Sequence, residues 1–313
     1  MARRHDFRIG TSGWNYPAPG YGPWTGIFYP YKHGQKIPGT TQKFDELAYY
    51  AEHFDTVEVN NTFYRSPAAK TAESWAARTP RGFEFSLKLF QDFTHKRDVM
   101  KKDVDVFKSG IDPLADADKL GVLLCQFPAS FKRDDTSVEY LTWLLKTFKD
   151  HRAAVELRHR SWSDEFGKTI ELLNEHHAAF VQIDEPKFKT SIRQNQLPNI
   201  TSFYYLRAHG RNWKKWWHHE HRDERYDYLY SAPEIQEFAE TLKAVEKIVP
   251  KSYAYMNNHA NAQAVINAVQ LKDFLGEPIK KDFIPELVNR YPQLKKIVSV
   301  ESKKDVLLRA QND

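Results

Sequence analysis

Residues 153–162 begin as an apolar strand and then turn polar. Because alternate side chains of a strand share one face, Glu156 and Arg158 point to one side, and Val155 and Leu157 to the other. A carboxylate and a guanidinium on one face of a buried strand are costly unless they pair or line a wet cavity. The sequence therefore predicts a polar site at the carboxyl end of this strand.

The same change from apolar to polar residues recurs in most other predicted strands. In each strand one set of alternate positions is apolar and is expected to pack under helices, so that the polar set faces a common axis. Barrel enzymes place their chemistry at the carboxyl ends of such strands, which predicts a single polar cup. The predicted ligand-binding residues of the cup are Trp14, Asn60, Gln126, Arg158, Asp184, Arg207, His209 and Asn257, and the predicted catalytic residues are Glu58, Lys88 and Glu156.

Strands and helical stretches alternate along the chain. The eight predicted strands cover residues 7–11, 55–60, 83–88, 121–127, the stretch from 153, 178–184, 203–209 and 252–258. Predicted helices run from a Thr41 cap through His53 and over 70–78, 99–117, 137–149, 164–176, 233–249 and 260–275, whereas 186–201 has no clear helical pattern. This order predicts an α/β fold, a single (β/α)8 TIM-like barrel over residues 1–276. An additional basic C-terminal extension, 277–313, is expected to be helical and either to pack on the barrel or to trail from it.

Composition narrows the class of protein. With 41% hydrophobic residues and eight Trp, the 313-residue chain can bury a substantial core, and its net charge of +5 allows an anionic partner without requiring one. The single cysteine, Cys125, excludes an internal disulfide framework and lies on the apolar side of its strand, where we expect a core residue. No apolar run is long enough to span a membrane and no signal core follows the first residues. We therefore predict a cytoplasmic protein with no membrane partner.

Several segments of the chain together resemble the YecE-like family, domain of unknown function 72. The resemblance rests on TSGW at 11–14, WTGIFYP at 24–30, VEVNNTFY at 57–64, Lys88 with Thr94 and His95, QFP at 126–128, ELRH at 156–159 with Ser161 and Trp162, RAHG at 207–210 and NN at 257–258. The chain departs from the family at Arg160, where proline is frequent, in the long segment after Gly210 and in the basic tail. The resemblance implies a barrel like that of the endonuclease IV and xylose isomerase group, and it implies no established activity.

The charges of the predicted cup favour an anionic ligand. Lys88, Arg158 and Arg207 arrive from three strands, and guanidinium groups suit phosphate or carboxylate oxygens. We expect Arg158 and Arg207 to be the principal contacts and Lys88 a supporting charge. The alternative is that these cations only form structural ion pairs with Glu58 and Glu156.

Two kinds of catalysis fit the same residues. Glu58 or Glu156 is a candidate general acid or base, and Lys88 a candidate for a Schiff base, although a lysine beside carboxylates is more often a charge clamp. We therefore predict binding of a phosphate- or carboxylate-bearing small molecule, with hydrolase or lyase activity as the candidate reactions.

A metal site is the less favoured hypothesis for the cup. Carboxylates and a histidine of the kind that bind metals are present at Glu58, Glu84, Glu156, Asp184 and His209. Glu84 is expected to lie too deep, and three cationic side chains in the same space would repel a divalent ion. We predict neither a metal nor a cofactor.

A second function remains open for the Trp-, Lys- and His-rich segment 211–222, which follows the seventh strand. Interleaved Trp and Lys suit stacking on bases together with contacts to phosphate. The alternative hypothesis is thus a non-catalytic nucleic-acid-binding protein related in fold to endonuclease IV. The plain interpretation of the segment is an amphipathic cover packed on the barrel rim, and the choice between a small molecule and nucleic acid as partner stays undecided.

Overall fold

The computed structural model describes residues 5–17, 21–194, 197, 201–279 and 282–302. Eight strands lie within these ranges: β1 (Asp6–Thr11), β2 (Thr56–Val59), β3 (Glu84–Lys88), β4 (Leu120–Gln126), β5 (Ala153–Glu156), β6 (Ala179–Asp184), β7 (Tyr204–Ala208) and β8 (Lys251–Met256). Each is parallel to its neighbours in the order β2-β3-β4-β5-β6-β7-β8-β1. A bridge between Ser12 and Glu58 joins β1 to β2 and closes the sheet. The predicted single (β/α)8 barrel is confirmed.

Helices surround the barrel and follow most of its strands. They are α1 (Glu46–His53), α2 (Ala69–Ala77), α3 (Lys101–Asp116), α4 (Asp135–Thr147), α5 (Ser161–Asp164), α6 (Phe166–Glu175), α7 (Ala232–Val245), α8 (Gln263–Leu275) and α9 (Pro285–Arg290). The longer ones bury one face because apolar residues recur at intervals of three and four, as Ile235, Phe238 and Leu242 do in α7. No helix lies between β6 and β7 in the described part of that connection, as its sequence predicted.

The start of α1 differs from its prediction. The helix begins at Glu46, and Thr41 lies in a bend before it. Asp45 is the N-cap, since its Oδ1 accepts hydrogen bonds from the backbone N–H of Leu47 at 2.9 Å and of Ala48 at 3.2 Å. A carboxylate caps a helix at least as well as a threonine hydroxyl, which fits the observed start at Glu46.

Polar layers fill the lower half of the barrel. Glu84 lies near the amino-terminal end, where it accepts hydrogen bonds from Lys251 and from the Tyr253 hydroxyl, each at 2.5 Å. Above it the Tyr255 hydroxyl contacts Thr56 Oγ1 at 2.6 Å and Ser86 Oγ at 2.8 Å. The interior is therefore solid beneath the upper layers of side chains, and Glu84 lies far from the carboxyl ends of the strands.

Beyond α8 the described part of the C-terminal extension packs on the barrel. Gly276 ends α8 with a φ of 68°, a conformation that glycine adopts without strain. Phe283 then packs against His53 of α1 with ring centroids 4.6 Å apart and pairs with Val300 in a parallel bridge. The extension therefore contacts α1, and the Tyr291 hydroxyl also donates to the Asn261 carbonyl after β8, at 2.6 Å.

The loop after β6 folds back, and its residues 190–192 pair with residues 158–160, which follow β5. The backbone N–H of Ile192 donates to the Arg158 carbonyl, and that of Arg160 donates to the Thr190 carbonyl, both at 2.8 Å. The register between β5 and β6 ends at Val155. The returning loop therefore takes the place of a β5–β6 ladder above that point.

Gln194 completes this arrangement with its side chain. Its Oε1 accepts from the Ile183 N–H at 2.9 Å, and its Nε2 donates to the Val181 carbonyl at 2.6 Å. The free edge of β6 is thereby paired by an amide side chain instead of a strand, which separates the upper ends of β5 and β6.

Replacing Gln194 by Ala is expected to lower the free energy of unfolding by about 1–3 kcal/mol, because the β6 groups of Ile183 and Val181 lose their hydrogen bonds. Urea unfolding monitored by tryptophan fluorescence measures the change. The control is Gln236→Ala, which removes a hydrogen bond to Glu240 on the exposed face of α7. Equal midpoints for the two variants would contradict the assigned role of Gln194.

Candidate functional site

A cavity of about 260 Å³ opens at the carboxyl ends of the strands. We call it the cup. Among the larger cavities, those of about 360 and 650 Å³ lie at the amino ends, where barrel residues usually contribute to stability. Another of about 370 Å³ lies between the segment after β2 and α2. The predicted site residues that line the cup are Asn60, Lys88, Gln126, Arg158, Arg207, His209 and Asn257.

Arg207 of β7 forms the floor of the cup and is 2% exposed. Its Nε and Nη2 donate to the two carboxylate oxygens of Glu58, at 2.9 and 2.7 Å, and its Nη1 donates to Glu156. Burial alone would lower the pKa of Arg207, but Glu156 and Glu58 outweigh it and raise the pKa. The guanidinium fork, predicted as a principal ligand contact, is therefore occupied by carboxylates of the protein.

Glu58 lies below the cup and is completely buried. Besides Arg207, it accepts hydrogen bonds from Ser12 Oγ and from the Tyr205 hydroxyl, both at 2.8 Å. Both carboxylate oxygens are thus engaged, and Glu58 does not line the cavity. Its surroundings suit a structural anion better than the predicted general acid or base.

Glu156 also lies under the cavity, between two guanidinium groups. It accepts from Arg158 Nε at 2.7 Å as well as from Arg207. Burial would raise the pKa of Glu156, but Arg158 and Arg207 outweigh it and hold the pKa well below its usual range. This carboxylate stays ionised at neutral pH and, like Glu58, is enclosed by the protein.

Arg158 reaches further up and lines the cup. Its side chain is 22% exposed, and its Nη1 donates to Glu185 Oε2 at 3.0 Å. Its Nη2 lies 3.5 Å from His209 Nε2, while His209 Nδ1 lies 2.7 Å from the Asn257 amide nitrogen. Burial, then the charge of Arg207, lowers the pKa of His209 well below its usual value, so this imidazole is neutral.

Lys88 extends into the cup from the end of β3. Its Nζ lies 4.1 Å from the centre of the Phe63 ring. Among the residues that the structure describes, no carboxylate oxygen lies within 4 Å of this nitrogen. Burial, then the charges of Arg207 and Arg158, lowers the pKa of Lys88 to about 7, against the opposing effects of Glu156 and Glu58.

The turn after β3 brings a second weak base near Lys88. Residues Asp92–Lys96 form a short π-helix, a conformation frequent at functional sites. Burial, then the charges of Lys88 and Arg158, lowers the pKa of His95 to about 4. At neutral pH this imidazole is uncharged and adds no cation to the surroundings of Lys88.

Trp14 was predicted in the cup and lies outside it. Its ring packs edge-on against Trp75 of α2 at 5.7 Å and against Phe85 at 6.4 Å, in the core between barrel and helices. Gly13 has a φ of 102°, so the chain turns after β1 and the alternation of sides stops there. The turn therefore places Trp14 in this core and not in the cup.

Asp184 was also predicted in the cup and faces the opposite side of β6. It accepts hydrogen bonds from Arg211 Nη2 at 2.8 Å and from the Tyr230 hydroxyl at 2.7 Å. The expectation assumed an apolar helix over the outer face of β6. The polar loop with Gln194 covers part of that face instead, and Gln182 donates to the Gln194 carbonyl at 3.0 Å.

Several residues of the site were not predicted. Glu185 pairs with Arg158 beside the cavity and continues the inward side of β6 after Val181 and Ile183, a signal that was available once the side of the strand was assigned correctly. The unpredicted residues that line the cup come from connections between strands, which strand alternation does not describe: Tyr16, Phe63, Tyr64, Asp223, Tyr226 and His259.

The segment 211–222 forms the cover of the cup, together with the turn that follows it. Trp216 is 6% exposed and packs on the ring of Tyr226, which lines the cavity. Trp213 and Trp217 are exposed and contact Phe188, with ring centroids 4.7 and 5.3 Å away. Trp216 therefore fits the interpretation of the segment as an amphipathic cover, whereas Trp213 and Trp217 stay exposed.

Two further observations concern partners. Within the described ranges, His, Cys, Asp and Glu side chains form no group of three or more suited to a metal ion. None of the helices in those ranges combines the length and the apolar character needed to cross a membrane.

The chain is similar to proteins of one family. The family described as "Protein of unknown function DUF72" matches residues 8–289. UPF0759 protein YunF of Bacillus subtilis (strain 168) is 27% identical over 260 residues, which cover 78% of this chain and 91% of that protein. The crystal structure of a DUF72 family protein from Thermotoga maritima MSB8 is 33% identical with a TM-score of 0.73, covering 87% of this chain and 100% of that one. A DUF72 family protein from Enterococcus faecalis V583, 22% identical with a TM-score of 0.72 over 87% and 96% of the two chains, shows likeness of fold.

Replacing Arg207 by Met is expected to lower the free energy of unfolding by about 3–5 kcal/mol, because Glu58 and Glu156 are left buried without their partner. Chemical unfolding with circular dichroism measures the change. The matched control is Arg160→Met, which removes an exposed pair with Asp164 at 3.1 Å and should change stability by about 0.5 kcal/mol or less. An Arg207→Met variant as stable as the control would show that the buried network is dispensable.

Proposed function

Because this chain belongs to the DUF72 family, whose function is unknown, we propose its function from the cup itself. The protein is an enzyme of the lyase class that acts on a small carbonyl compound bearing a carboxylate or phosphate group. Lys88 is the reacting amine. Arg158, Gln126 and Asn257 contact the anionic group from the wall of the cup.

The observation that supports this proposal is the position of Lys88 among the charges of the cup. Arg207 and Arg158 are each paired with carboxylates, whereas no carboxylate lies within 4 Å of Lys88 Nζ in the described part of the chain. A lysine beside other cations in a partly buried site is the arrangement that keeps an amine unprotonated and nucleophilic. Lys88 therefore has the properties of a Schiff-base lysine rather than of a charge clamp.

The chemistry follows from a neutral amine. Lys88 Nζ attacks the carbonyl carbon and a C–N bond forms. The carbonyl oxygen takes one hydrogen from the amine and one proton from solvent and leaves as water, which gives a protonated imine. The imine attracts electrons from the neighbouring C–C or C–H bond, so that bond can break. No cofactor is required for this step.

Hydrolase chemistry has less support. The carboxylates predicted as general acid or base, Glu58 and Glu156, are both enclosed by donors of the protein. Lys88, by contrast, lines the cavity. The nucleic-acid alternative also has less support, because Lys215 of the cover pairs with Glu224 at 2.7 Å and Trp216 is buried.

The free thiol of Cys125 suits the cytoplasmic location that we propose.

Reductive trapping tests the proposal. Incubation with pyruvate, 2-oxobutanoate or dihydroxyacetone phosphate in the presence of borohydride is expected to attach the compound covalently to Lys88, as measured by peptide mass spectrometry. Lys88→Met should abolish the adduct. A wild-type protein that forms no adduct at Lys88 with any of the three compounds would contradict the proposed function.

Two other lysines provide internal controls in the same experiment. Burial lowers the pKa of Lys119 and of Lys187 as well. Lys119 Nζ donates to the carbonyls of Ala76 and Thr79, at 2.6 and 2.5 Å, and Lys187 Nζ donates to the Ile183 carbonyl at 3.1 Å. Peptides that contain these lysines should remain unmodified, and equal labelling of all three would indicate unspecific reaction.

The lowered pKa of Lys88 also predicts a pH-dependent stability. Between about pH 7 and 10.5 the unfolded chain binds a proton at Lys88 that the folded protein does not, so the stability of the wild type rises with pH in that window. Lys88→Met should therefore be more stable than the wild type at pH 6, by about 1–3 kcal/mol since one pKa unit corresponds to about 1.4 kcal/mol. The charged groups whose fields act on Lys88 are Arg207, Glu156, Arg158 and Glu58.

Urea unfolding at pH 6 and at pH 9 measures this difference, which should shrink at the higher pH. The control is Lys102→Met at an exposed position of α3, where no pH-dependent difference is expected. A constant difference between wild type and Lys88→Met across this range would show that the Lys88 pKa is not lowered.

A further inference from the structure

His259 contributes a second polar group to the cup. It follows β8, is 6% exposed and lines the cavity. Its ring stacks on Tyr16, with centroids 4.4 Å apart and planes within 9°, and Tyr226 lies against it with centroids 5.2 Å apart. Contacts with two aromatic rings hold the imidazole in one orientation.

The neighbours of His259 determine which nitrogen can accept a proton. Its Nδ1 lies 3.2 Å from the Asn257 carbonyl oxygen, which can only accept, so Nδ1 carries the hydrogen. Its Nε2 lies 3.8 Å from Asp223 Oδ1. Burial lowers the pKa of His259 against the opposing effect of Asp223, so Nε2 has a free electron pair at neutral pH. The hydrogen of a ligand hydroxyl can therefore be donated to Nε2.

Lys88 and His259 belong to one cavity of about 260 Å³, which is slightly below the usual range of about 300–1,000 Å³ for ligand sites. A compound that fills so small a cavity touches both side chains. The residues differ in role, since Lys88 offers a nucleophile and His259 a base. Electron withdrawal at one carbon and proton removal from a nearby hydroxyl are the two requirements of aldol cleavage.

We infer that the enzyme cleaves β-hydroxy carbonyl compounds that carry a carboxylate or phosphate, with His259 Nε2 as the base that takes the proton of the hydroxyl group. The inference rests on the proposed imine at Lys88 and adds the substrate class and the second catalytic residue. Asp223 is a positioning residue, whose carboxylate 3.8 Å from Nε2 stabilises the imidazolium that forms.

The step balances without a further reactant. The hydroxyl proton moves to His259 Nε2, the oxygen electrons form a new C=O bond, and an aldehyde leaves. The electron pair of the broken C–C bond moves to the protonated imine and forms an enamine on Lys88. The enamine then takes a proton on carbon, and water releases the shortened carbonyl compound and regenerates the lysine.

A pair of compounds that differ by one hydroxyl tests the inference. With 4-hydroxy-2-oxobutanoate and borohydride, the wild type is expected to yield the pyruvate adduct at Lys88, because cleavage releases formaldehyde before reduction. With 2-oxobutanoate, which lacks the hydroxyl, the intact four-carbon adduct is expected. Peptide mass spectrometry distinguishes the two adducts, and formaldehyde release measures the rate of cleavage.

Variants at the base separate the two steps. His259→Gln should reduce formaldehyde release by about 10²–10⁴-fold and shift trapping of the hydroxylated compound to the intact adduct, since imine formation needs only Lys88. Asp223→Asn, at a half-exposed position, should reduce release by about tenfold to a hundredfold. The control His151→Gln lies at the amino end of the barrel and should behave like the wild type.

The possible failures are distinguishable. An intact four-carbon adduct in the wild type would overturn aldol cleavage and leave the imine at Lys88 in place. Equal formaldehyde release by wild type and His259→Gln would overturn the role of His259. Absence of any adduct at Lys88 would instead contradict the proposed function on which the inference rests. Retained trapping in His259→Gln shows that this variant folds.

Discussion

Arg207 links β7 to β2 and β5 across the inside of the barrel, through Glu58 and Glu156. Each of the three groups would be unstable alone at this depth, since removing a charge from water costs several kcal/mol unless hydrogen bonds replace the lost hydration. Glu58 also accepts from Ser12, whose bridge to Glu58 closes the barrel between β1 and β2. Closure of the sheet and burial of this cluster therefore depend on each other.

The same cluster sets the electrostatics above it. Glu156 forms ion pairs with both Arg158 and Arg207, and Arg158 also pairs with Glu185. The carboxylates satisfy the two guanidinium groups, but they lie below or beside the cavity and are not in contact with Lys88. Burial, then the charges of Arg207 and Arg158, lowers the pKa of Lys88 against the opposing effects of Glu156 and Glu58. The network that stabilises the barrel therefore also influences the pKa of Lys88.

Loops supply the other side of the cup, and they are held by contacts that leave the cup residues free to face the cavity. Asn212 donates to the carbonyls of Glu224 and Asp227, at 3.1 and 3.0 Å, and so fastens the cover to the turn that carries Asp223 and Tyr226. The end of β3 thereby positions Lys88, and the long loop after β7 positions Asp223 and Tyr226. Functional residues on loops supported by a rigid scaffold are common in barrel enzymes.

Sequence alone determined the barrel and most of the strand-borne cup, because both follow from local patterns. Alternation within a strand assigns Lys88, Arg158 and His209 to the inside wherever a helix covers the outside. The tertiary structure decided what alternation cannot express. Asp184 faces outward because a polar loop, not a helix, covers part of β6, and Arg207 is neutralised because Glu58 and Glu156 arrive from distant strands. Such pairing depends on the distances between segments that are far apart in the chain, and the alternation of residues within one strand does not determine those distances.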